Sequence, residues 1–534
     1  METSAWAPLQ DKVFRGLWIG VLASNAGTWM QTVGASWRLV HEPDAATYVS
    51  LVQTATMLPV LLLALPSGTL ADTFDRRRLL LGVQLGLFAV AAALTALTAA
   101  DRMPPALLLV FTFLLGVGQA LTLPTWQAVI PEVVPRDELA AASALGAVNT
   151  NLARSAGPAV AGLIVAHAGV PVVFGLNAVS FAVFAAALIR WRRPPQGGTT
   201  HAERFGPALR AGGRYVRYSP VVRRTLLRVL LFVLPGSVVW GLLPLVADRE
   251  LGMGPSGYGV LLAALGVGAI LGALLMPRIR ERVPPNRLLI LSGTVYAAAL
   301  LIVALVPYAM AVVPALVVAG LAWMAQVSRM NASMQLFLPN WVRARGFAVY
   351  QVVFAGGQAF GAFAWGQVTQ AWGLRVAYLA AAAFMVLGTA TVRWLPLREQ
   401  TGDRSPAAYW PEPHLMLEPH LDEGPVLVTA TWRVKPENRA AFVAAMQAVR
   451  RSRQRTGATR WGLFRNGEHA GDFVEVYLVP TWEEHLRQHE GRLTTSDERE
   501  EEHAVALAEG PATVTHLLPA HSSVQPPHRH PRTD

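Results

Sequence analysis

The sequence predicts an all-α polytopic membrane protein followed by a small C-terminal α+β domain, and three observations carry that reading. Of its 534 residues, 53% are hydrophobic and 15% charged, with a mean hydropathy of +0.36, against roughly 25% charge in an ordinary soluble domain. Apolar runs of about 20 residues, the length that crosses a bilayer as a helix, recur as far as about residue 395. Beyond about residue 425 the pattern changes to strand-like alternation. A purely soluble protein is excluded. With no cysteine in the chain, disulfides, Cys-ligated zinc, iron–sulfur clusters and thiol nucleophiles are excluded as well.

Apolar spans fall near 14–39, 47–71, 79–100, 105–130, 139–167, 171–191, 225–247, 257–279, 287–307, 309–338, 344–371 and 374–395, about twelve crossings. The first is too long for a secretory apolar region and no small-residue cleavage site follows it, so it is expected to be retained. The loops after even-numbered spans carry Arg76-Arg77-Arg78, Arg136, Arg192 to Arg224, Arg278 to Arg287, and Arg343 with Arg345. The alternate loops are short and hold Glu42, Asp44, Asp101, Arg102, Asp248, Arg249, Glu250 and Arg375. The positive-inside asymmetry places the first set, and both termini, on the cytoplasmic side of the inner membrane. That placement accounts for the net charge of +11. The lipid bilayer is then the expected surrounding, and nucleic acid is not an expected partner.

The longest internal loop contains Pro194-Pro195 and Gly197-Gly198 and separates two sets of six spans. A constant offset of 204 residues aligns Gly68 with Gly272, Arg76 with Arg280, Arg78 with Arg282, Gly116 with Gly320, Pro135 with Pro339, Gly157 with Gly361, Gly162 with Gly366 and Gly169 with Gly373. Matches at proline and loop arginine as well as glycine point to an internal duplication. A parallel repeat predicts two bundles related by an axis along the membrane normal, a geometry suited to alternating access around a central site. The expected boundaries are 1–191 for the first six-helix bundle, 192–224 for a cytoplasmic central loop, 225–395 for the second bundle, 396–424 for a linker, 425–520 for a soluble domain and 521–534 for a disordered tail.

After the second span the chain reads Gly68-Thr69-Leu70-Ala71-Asp72-Thr73-Phe74-Asp75-Arg76-Arg77-Arg78. This resembles the G-x-L-A-D-R-x-G-R-R signature of the major facilitator superfamily, with Thr73 and Asp75 departing from it. Arg154-Ser-Ala-Gly157-Pro158-Ala-Val-Ala161-Gly162 resembles that superfamily's exporter signature, with Ala161 in place of a glycine. The combination Gly116-Val-Gly118-Gln119, Pro124-Thr-Trp126-Gln127, Pro131-Glu132-Val-Val-Pro135-Arg136-Asp137-Glu138 and Asn151-Leu-Ala-Arg154 looks like the transmembrane secretion effector branch, which includes the enterobactin exporter. The resemblance implies a twelve-helix major facilitator fold and a secondary transporter that exports a small organic molecule, siderophore-like, drug-like or anionic and amphipathic, driven by the proton gradient. It also implies gating or conformational roles for Gly68, Asp72, Arg76, Arg77, Gly157, Pro158 and Gly162.

Intramembrane polar residues give an independent route to a substrate site. Arg154 and Arg329 are the charges placed deepest, and an arginine at mid-bilayer costs at least about 2.5 kcal/mol unless water or a partner is near. A guanidinium offers paired donors for carboxylate or catecholate oxygens. With these two arginines, Asn25, Gln31, Gln119, Gln127 and Asn331 are the expected substrate-binding residues, among a wider polar set that includes Gln53, Asn149, Asn151, Gln326, Gln335, Gln351 and Gln358. Polar side chains also bind helices to one another. No Asp or Glu falls in the middle of any span, so a proton-coupling residue is not located.

In the tail, Val426–Val434, Thr459–Phe464, Asp472–Leu478 and about 512–518 read as strands, with helices after Pro436 and near 482–490 and 496–508. This is a split β-α-β-β-α-β, ferredoxin-like pattern. It resembles antibiotic-biosynthesis monooxygenase domains, which implies a capacity to dimerise. His485 and His489 stand one turn apart and read as part of a solvated helix, while Arg450, Arg451, Arg453 and Arg455 read as a basic run facing water or lipid headgroups. No metal, cofactor or catalytic residue is expected. The rival reading is a membrane-tethered enzyme whose tail performs monooxygenase-like chemistry, and deletion of residues 425–534 separates the two.

Overall fold

The computed structural model describes residues 6–192, 205–339, 341–397 and 419–520. The chain divides into two compact units. The first comprises 1–205, 224–335 and 347–399; the second comprises 206–223, 336–346 and 400–534.

The first unit is built on α1 Lys12–Arg38, α2 Ala45–Thr73, α3 Arg76–Ala99, α4 Pro105–Val133, α5 Leu139–Ala168 and α6 Val170–Arg190. After the short α7 Phe205–Tyr218 come α8 Pro220–Leu245, α9 Gly254–Arg282, α10 Pro285–Leu305, α11 Ala309–Phe337, α12 Arg343–Trp372 and α13 Leu374–Ala390. Among the described residues, ten helices are long and apolar enough to cross a membrane. The two others of comparable length, α1 and α5, fall outside that set. They carry Asn25, Thr28, Gln31 and Thr32, and Asn149, Thr150, Asn151, Arg154 and Ser155, side chains that lower hydropathy; Asn25 and Asn149 meet each other. The central loop departs from expectation: α7 lies inside 192–224, and α8 starts at Pro220 rather than near 225.

The 204-residue offset marks equivalent contacts. A Cβ on Gly157 would lie 3.1 Å from Ala26 O of α1, and one on Gly361 2.7 Å from Leu234 O of α8. Gly116 brings α4 onto α2 beside Thr56 O, while Gly320 brings α11 onto α9 beside Leu265 O. Gly169 and Gly373 close α5 and α12 with φ of +84° and +89°, the region in which a side chain is strained. Pro135 and Pro339 each open a turn, accepting from Glu138 N at 3.0 Å and Val342 N at 3.1 Å. Asp75, where the superfamily signature has glycine, caps α3 by accepting from Arg78 N at 2.8 Å.

The second unit contains a four-stranded antiparallel sheet in the order β2-β3-β1-β4, from β1 Val426–Arg433, β2 Arg460–Arg465, β3 Asp472–Val479 and β4 Thr513–Leu517. With α14 Arg439–Thr456, α15 Trp482–Arg487 and α16 Thr495–Val505, it realises the expected split β-α-β-β-α-β order. One face of α14 buries Phe442, Met446 and Val449 against Trp432 and Phe473. Segments 206–223 and 336–346 belong to this unit. Buried Tyr215 of α7 packs edge-on to Trp341 at 5.7 Å and donates to Phe337 O at 3.2 Å.

Candidate functional site

Within the first unit, the helices of the two halves meet through residues near the arginine-poor loops. Gly162 of α5 lies against Pro255 O and Gly259 at the start of α9, a Cβ there standing 2.7 Å from the carbonyl. Its offset partner Gly366 of α12 lies against Ala46 and Ser50 at the start of α2. Pro158 is buried beside the same α9 glycine, 2.7 Å from where a Cβ on Gly259 would sit. Gln53 Nε2 donates to Gln358 Oε1 at 2.9 Å, Thr54 Oγ1 to Ala359 O at 2.9 Å and Gln370 Nε2 to Asp44 Oδ1 at 3.0 Å. Trp37 stacks on Tyr258 at 6.4 Å, and His41 faces Asp248 at 3.4 Å.

Deeper in the unit the predicted polar residues separate by role. Asn25 Nδ2 donates to Asn149 Oδ1 at 3.0 Å, Asn149 Nδ2 to Trp18 O at 2.9 Å, and Gln119 Nε2 to Thr28 Oγ1 at 2.8 Å. Asn25 and Gln119 therefore tie α1 to α5 and α4. Gln31 is buried with neither amide atom hydrogen-bonded among the described residues, and Asn331 Oδ1 is likewise buried without a partner among them. Gln127 is exposed.

Arg154 is half-buried and donates from Nη2 to Asn151 Oδ1, while its Nε is buried and finds no acceptor among the described residues. On α5 the large exposed apolar residues are Val148, Leu152, Val160 and Leu163. At 100° per residue Arg154 projects about 200° from Leu152, away from that stripe. Arg329 is half-buried on α11. An aromatic group missed by sequence reading joins the first helices of the two halves. Trp29 of α1 meets Trp240 of α8 at 6.0 Å, and Trp240 meets Trp323 at 5.6 Å, with Phe232, Tyr296, Phe354 and Tyr350 continuing the contact. The signal available in the sequence was the tryptophan content, 16 residues.

At the arginine-rich end, Arg76 pairs with Glu132 of α4 at 2.6 Å and donates to Ala128 O at 3.1 Å. Arg77 donates to Leu188 O and Ile189 O at the end of α6, at 2.8 and 2.9 Å. Both arginines thus bind helices of their own half. In the other half Arg280 donates to Ser328 O of α11 at 3.1 Å, a parallel to Arg76 on α4. Gly68 and Asp72 lie on the last turns of α2, outside the residues whose surroundings are described. Two small hollows lie away from Arg154 and Arg329; the second is lined by Arg228 and by Gln326 of the wider polar set.

The second unit corrects two expectations. Arg453 and Arg455 are buried rather than solvated: Arg453 is held by Glu475 at 3.1 Å and bidentately by Glu501 at 2.8 and 2.9 Å, and Arg455 pairs with Asp497. These carboxylates come from β3 and α16, far from Arg453 and Arg455 in the chain. His485 is also buried, not on a solvated face, and it gathers with His489 and His516. His521, His528 and His530 lie outside the described residues. Glu484, beside His485, joins three arginines: Arg492 at 2.8 and 3.1 Å, Arg214 of α7 at 3.1 Å and Arg487 at 3.6 Å. Burial opposes the charged form of Glu484, but its hydrogen bonds and attraction to Arg492, with Arg214 and Arg487, hold its carboxyl below the usual range. Arg492 also lies over the Trp341 ring at 4.9 Å.

The chain is 27% identical over 393 residues to the multidrug efflux pump Tap of Mycobacterium tuberculosis, covering 71% of this chain and 92% of that protein. It is 25% identical over 276 residues to the staphyloferrin A transporter of Staphylococcus aureus, covering 52% and 69%. Among solved structures it resembles a bacterial homolog of the human lysosomal transporter Spinster, inward-facing and occupied, with a TM-score of 0.58 at 15% identity over 73% of this chain and 97% of that one. A bacterial homologue of the iron transporter ferroportin in its inward-facing state gives a TM-score of 0.54 at 14% identity over 72% and 99%. These likenesses fix the fold of the first unit, and the relatives fix membrane transport as the class of activity. The family model described as transmembrane secretion effector matches residues 3–523, and the chain belongs to that family of the major facilitator superfamily.

Proposed function

We propose that the protein is a twelve-span secondary transporter of the cytoplasmic membrane that exports a small organic molecule by alternating access, powered by the proton gradient. The observation that carries this reading is the pair of offset-related crossings, α5 on α9 at Gly162 and α12 on α2 at Gly366. Two bundles joined through such equivalent, side-chain-free contacts can rock about them without exposing backbone to lipid. The crossings and the Gln53–Gln358 and Trp37–Tyr258 contacts gather toward the arginine-poor loops. With those loops outside by the positive-inside rule, the conformation is closed to the exterior, and both termini lie in the cytoplasm.

The substrate is anionic or amphipathic. Arg154, with Nε unspent and the side chain turned from the exposed apolar stripe, supplies a planar donor. Gln31, Asn331 and Arg329 add polarity, and Trp29, Trp240 and Trp323 add a flat apolar surface. A siderophore-like or drug-like solute fits this lining, in line with the names of the staphyloferrin A and multidrug relatives. Asn25 and Gln119 act through helix packing rather than substrate contact.

The experiment is a comparison of metabolites retained by cells with and without the protein, followed by uptake of the enriched compound into everted vesicles under an imposed pH gradient. Uptake that collapses with the gradient and falls in Arg154→Ala supports the proposal. Uptake indifferent to the gradient removes proton coupling, and no difference in any retained solute removes export.

A further inference from the structure

We propose that His485, His489 and His516 form a three-imidazole site for one divalent transition metal ion, with zinc as the ion their donor set fits best and one coordination position left open. His485 and His489 are four residues apart, on α15 and on the helical turn Gln488–Arg492 that continues it, so they share a face. His516 reaches them from β4, where it stands opposite Val428 of β1. One ligand nitrogen from each ring lies within 4.8 Å of the others.

The spacing between two of the three ligands is that of a metal site. Zinc–nitrogen bonds of about 2.0–2.1 Å in tetrahedral geometry set ligand nitrogens about 3.3–3.4 Å apart, and His485 Nε2 and His489 Nε2 are 3.3 Å apart. The His485 and His516 rings have centroids 4.8 Å apart. Closing the third ligand onto the ion needs at most about 1.5 Å of movement by the half-buried His516.

The surroundings orient the donors. Thr456 Oγ1 donates to Ser452 O at 2.9 Å and accepts from Gln488 Nε2 at 3.1 Å. That fixes the Gln488 amide so that its Oε1 faces His485 Nδ1 at 3.3 Å. His485 accordingly carries its proton on Nδ1 and turns the Nε2 lone pair toward His489. This is the outer-shell arrangement by which proteins set the tautomer of a ligating histidine. Trp482 packs on both His485 and His516, at 5.2 and 6.0 Å, and walls the cluster.

The charge balance also admits a cation. Arg453 is the nearby positive group, and it is met by Glu475 and Glu501, leaving that trio one net negative charge. Burial, reinforced by the other two imidazoles, lowers His485 to about 3. Burial, with His516 and Arg453, lowers His489 to about 4, and burial lowers His516 as well. With three imidazole nitrogens and no thiolate, the site suits zinc or a neighbouring divalent ion rather than calcium or magnesium.

The test uses the full-length protein in detergent, stripped with a chelator and titrated with Co²⁺ as a spectroscopic probe and then Zn²⁺. The expected result is one equivalent of Co²⁺ per chain with the visible bands of a four-coordinate ion, displaced by Zn²⁺, and a melting temperature that rises with Zn²⁺ concentration. His489→Gln and His516→Gln abolish the bands while circular dichroism stays that of the parent. Gln488→Leu weakens binding about 10–100-fold through loss of orientation. His469→Ala, His503→Ala and a variant with His521, His528 and His530 replaced by Ser keep the full equivalent. No bands in the folded parent overturn the proposal, as do bands that survive His489→Gln and His516→Gln or that vanish with the three tail histidines.

Discussion

Replacing Glu484 by Gln probes how α7 is fastened to the C-terminal domain. The Glu484 side chain is 7% exposed, and both its oxygens are engaged: Oε2 by Arg492 and Arg214, Oε1 by Arg492 and, more distantly, Arg487. The variant keeps the shape, removes the charge and turns an amide NH₂ toward guanidinium groups. Breaking one side of a buried pair costs about 3–5 kcal/mol. Arg492, 4% exposed, carries that full cost, whereas Arg214, 17% exposed, is partly relieved by solvent. The expected loss is therefore near the lower end, about 3 kcal/mol. For a domain of this size it lowers the melting temperature by about 10–20 °C. Tryptophan fluorescence of the full chain follows the transition, and trypsin reports on α7 through cleavage at Arg210, Arg214 and Arg217. Arg214→Gln leaves the Glu484–Arg492 pair in place and costs about 1 kcal/mol. The double variant is expected to be no worse than Glu484→Gln alone, since the two act in one network. A Glu484→Gln protein that melts with the parent and resists trypsin equally would refute the assignment.

Gly162→Leu forces a side chain into Pro255 O and Gly259 and is expected to cost about 1–3 kcal/mol by overpacking and to stop vesicle uptake; Gly366→Leu should match it at the equivalent crossing, and unequal effects argue against two equivalent contacts. Asp72→Asn is expected to slow transport more than it lowers expression, measured as initial uptake rate per protein in the membrane. Asp497 is buried, which opposes its charge, but Arg455 and hydrogen bonds from Ser452 and Thr494 outweigh that and depress its pKa. Its stabilisation is fully present above the unfolded value of about 3.9 and is lost as pH falls through the lower folded value. Asp497→Asn should therefore flatten the acid limb of the domain's stability curve in a pH-dependent melt.

What the sequence revealed and what it hid follow from the range of the interactions. Helix positions were legible because apolar length is a local property, and the order of elements in the tail was legible from alternation in β1 and β3, with Asn466-Gly467 as a turn signal between β2 and β3. The pairings of charged groups were not, because Arg453 takes its partners from β3 and α16. Two patterns still pointed there. Arg453 continues the buried 442, 446, 449 spacing of α14, and Glu475 occupies an inward position of β3 between Phe473 and Tyr477. A charge on a buried register calls for a buried counter-charge. The histidine cluster escaped for a similar reason: His485 and His489 are one turn apart in the chain, but the third member arrives only when β4 pairs with β1.

The duplication reaches further than either half would alone. A glycine pair at a fixed offset is weak evidence when glycine is abundant, because packing in any helical bundle selects small residues. The structure supplies the missing discriminator, since the paired glycines face equivalent partners. Gly157 and Gly361 receive the first helix of their own half, Gly162 and Gly366 the second helix of the opposite half, and Gly169 and Gly373 share a left-handed turn. Chance matching would not reproduce partner, helix order and backbone conformation together. The same comparison shows where symmetry was abandoned. Glu132, the partner of Arg76, has Leu336 at its offset position, and Arg280 uses Ser328 instead. Leu336 opens the segment that belongs to the second unit, along with Trp341 and Arg345. The second half thus lacks the counterpart of the Arg76–Glu132 pair, and the duplication is carried by its glycines, proline and arginines rather than by its carboxylates.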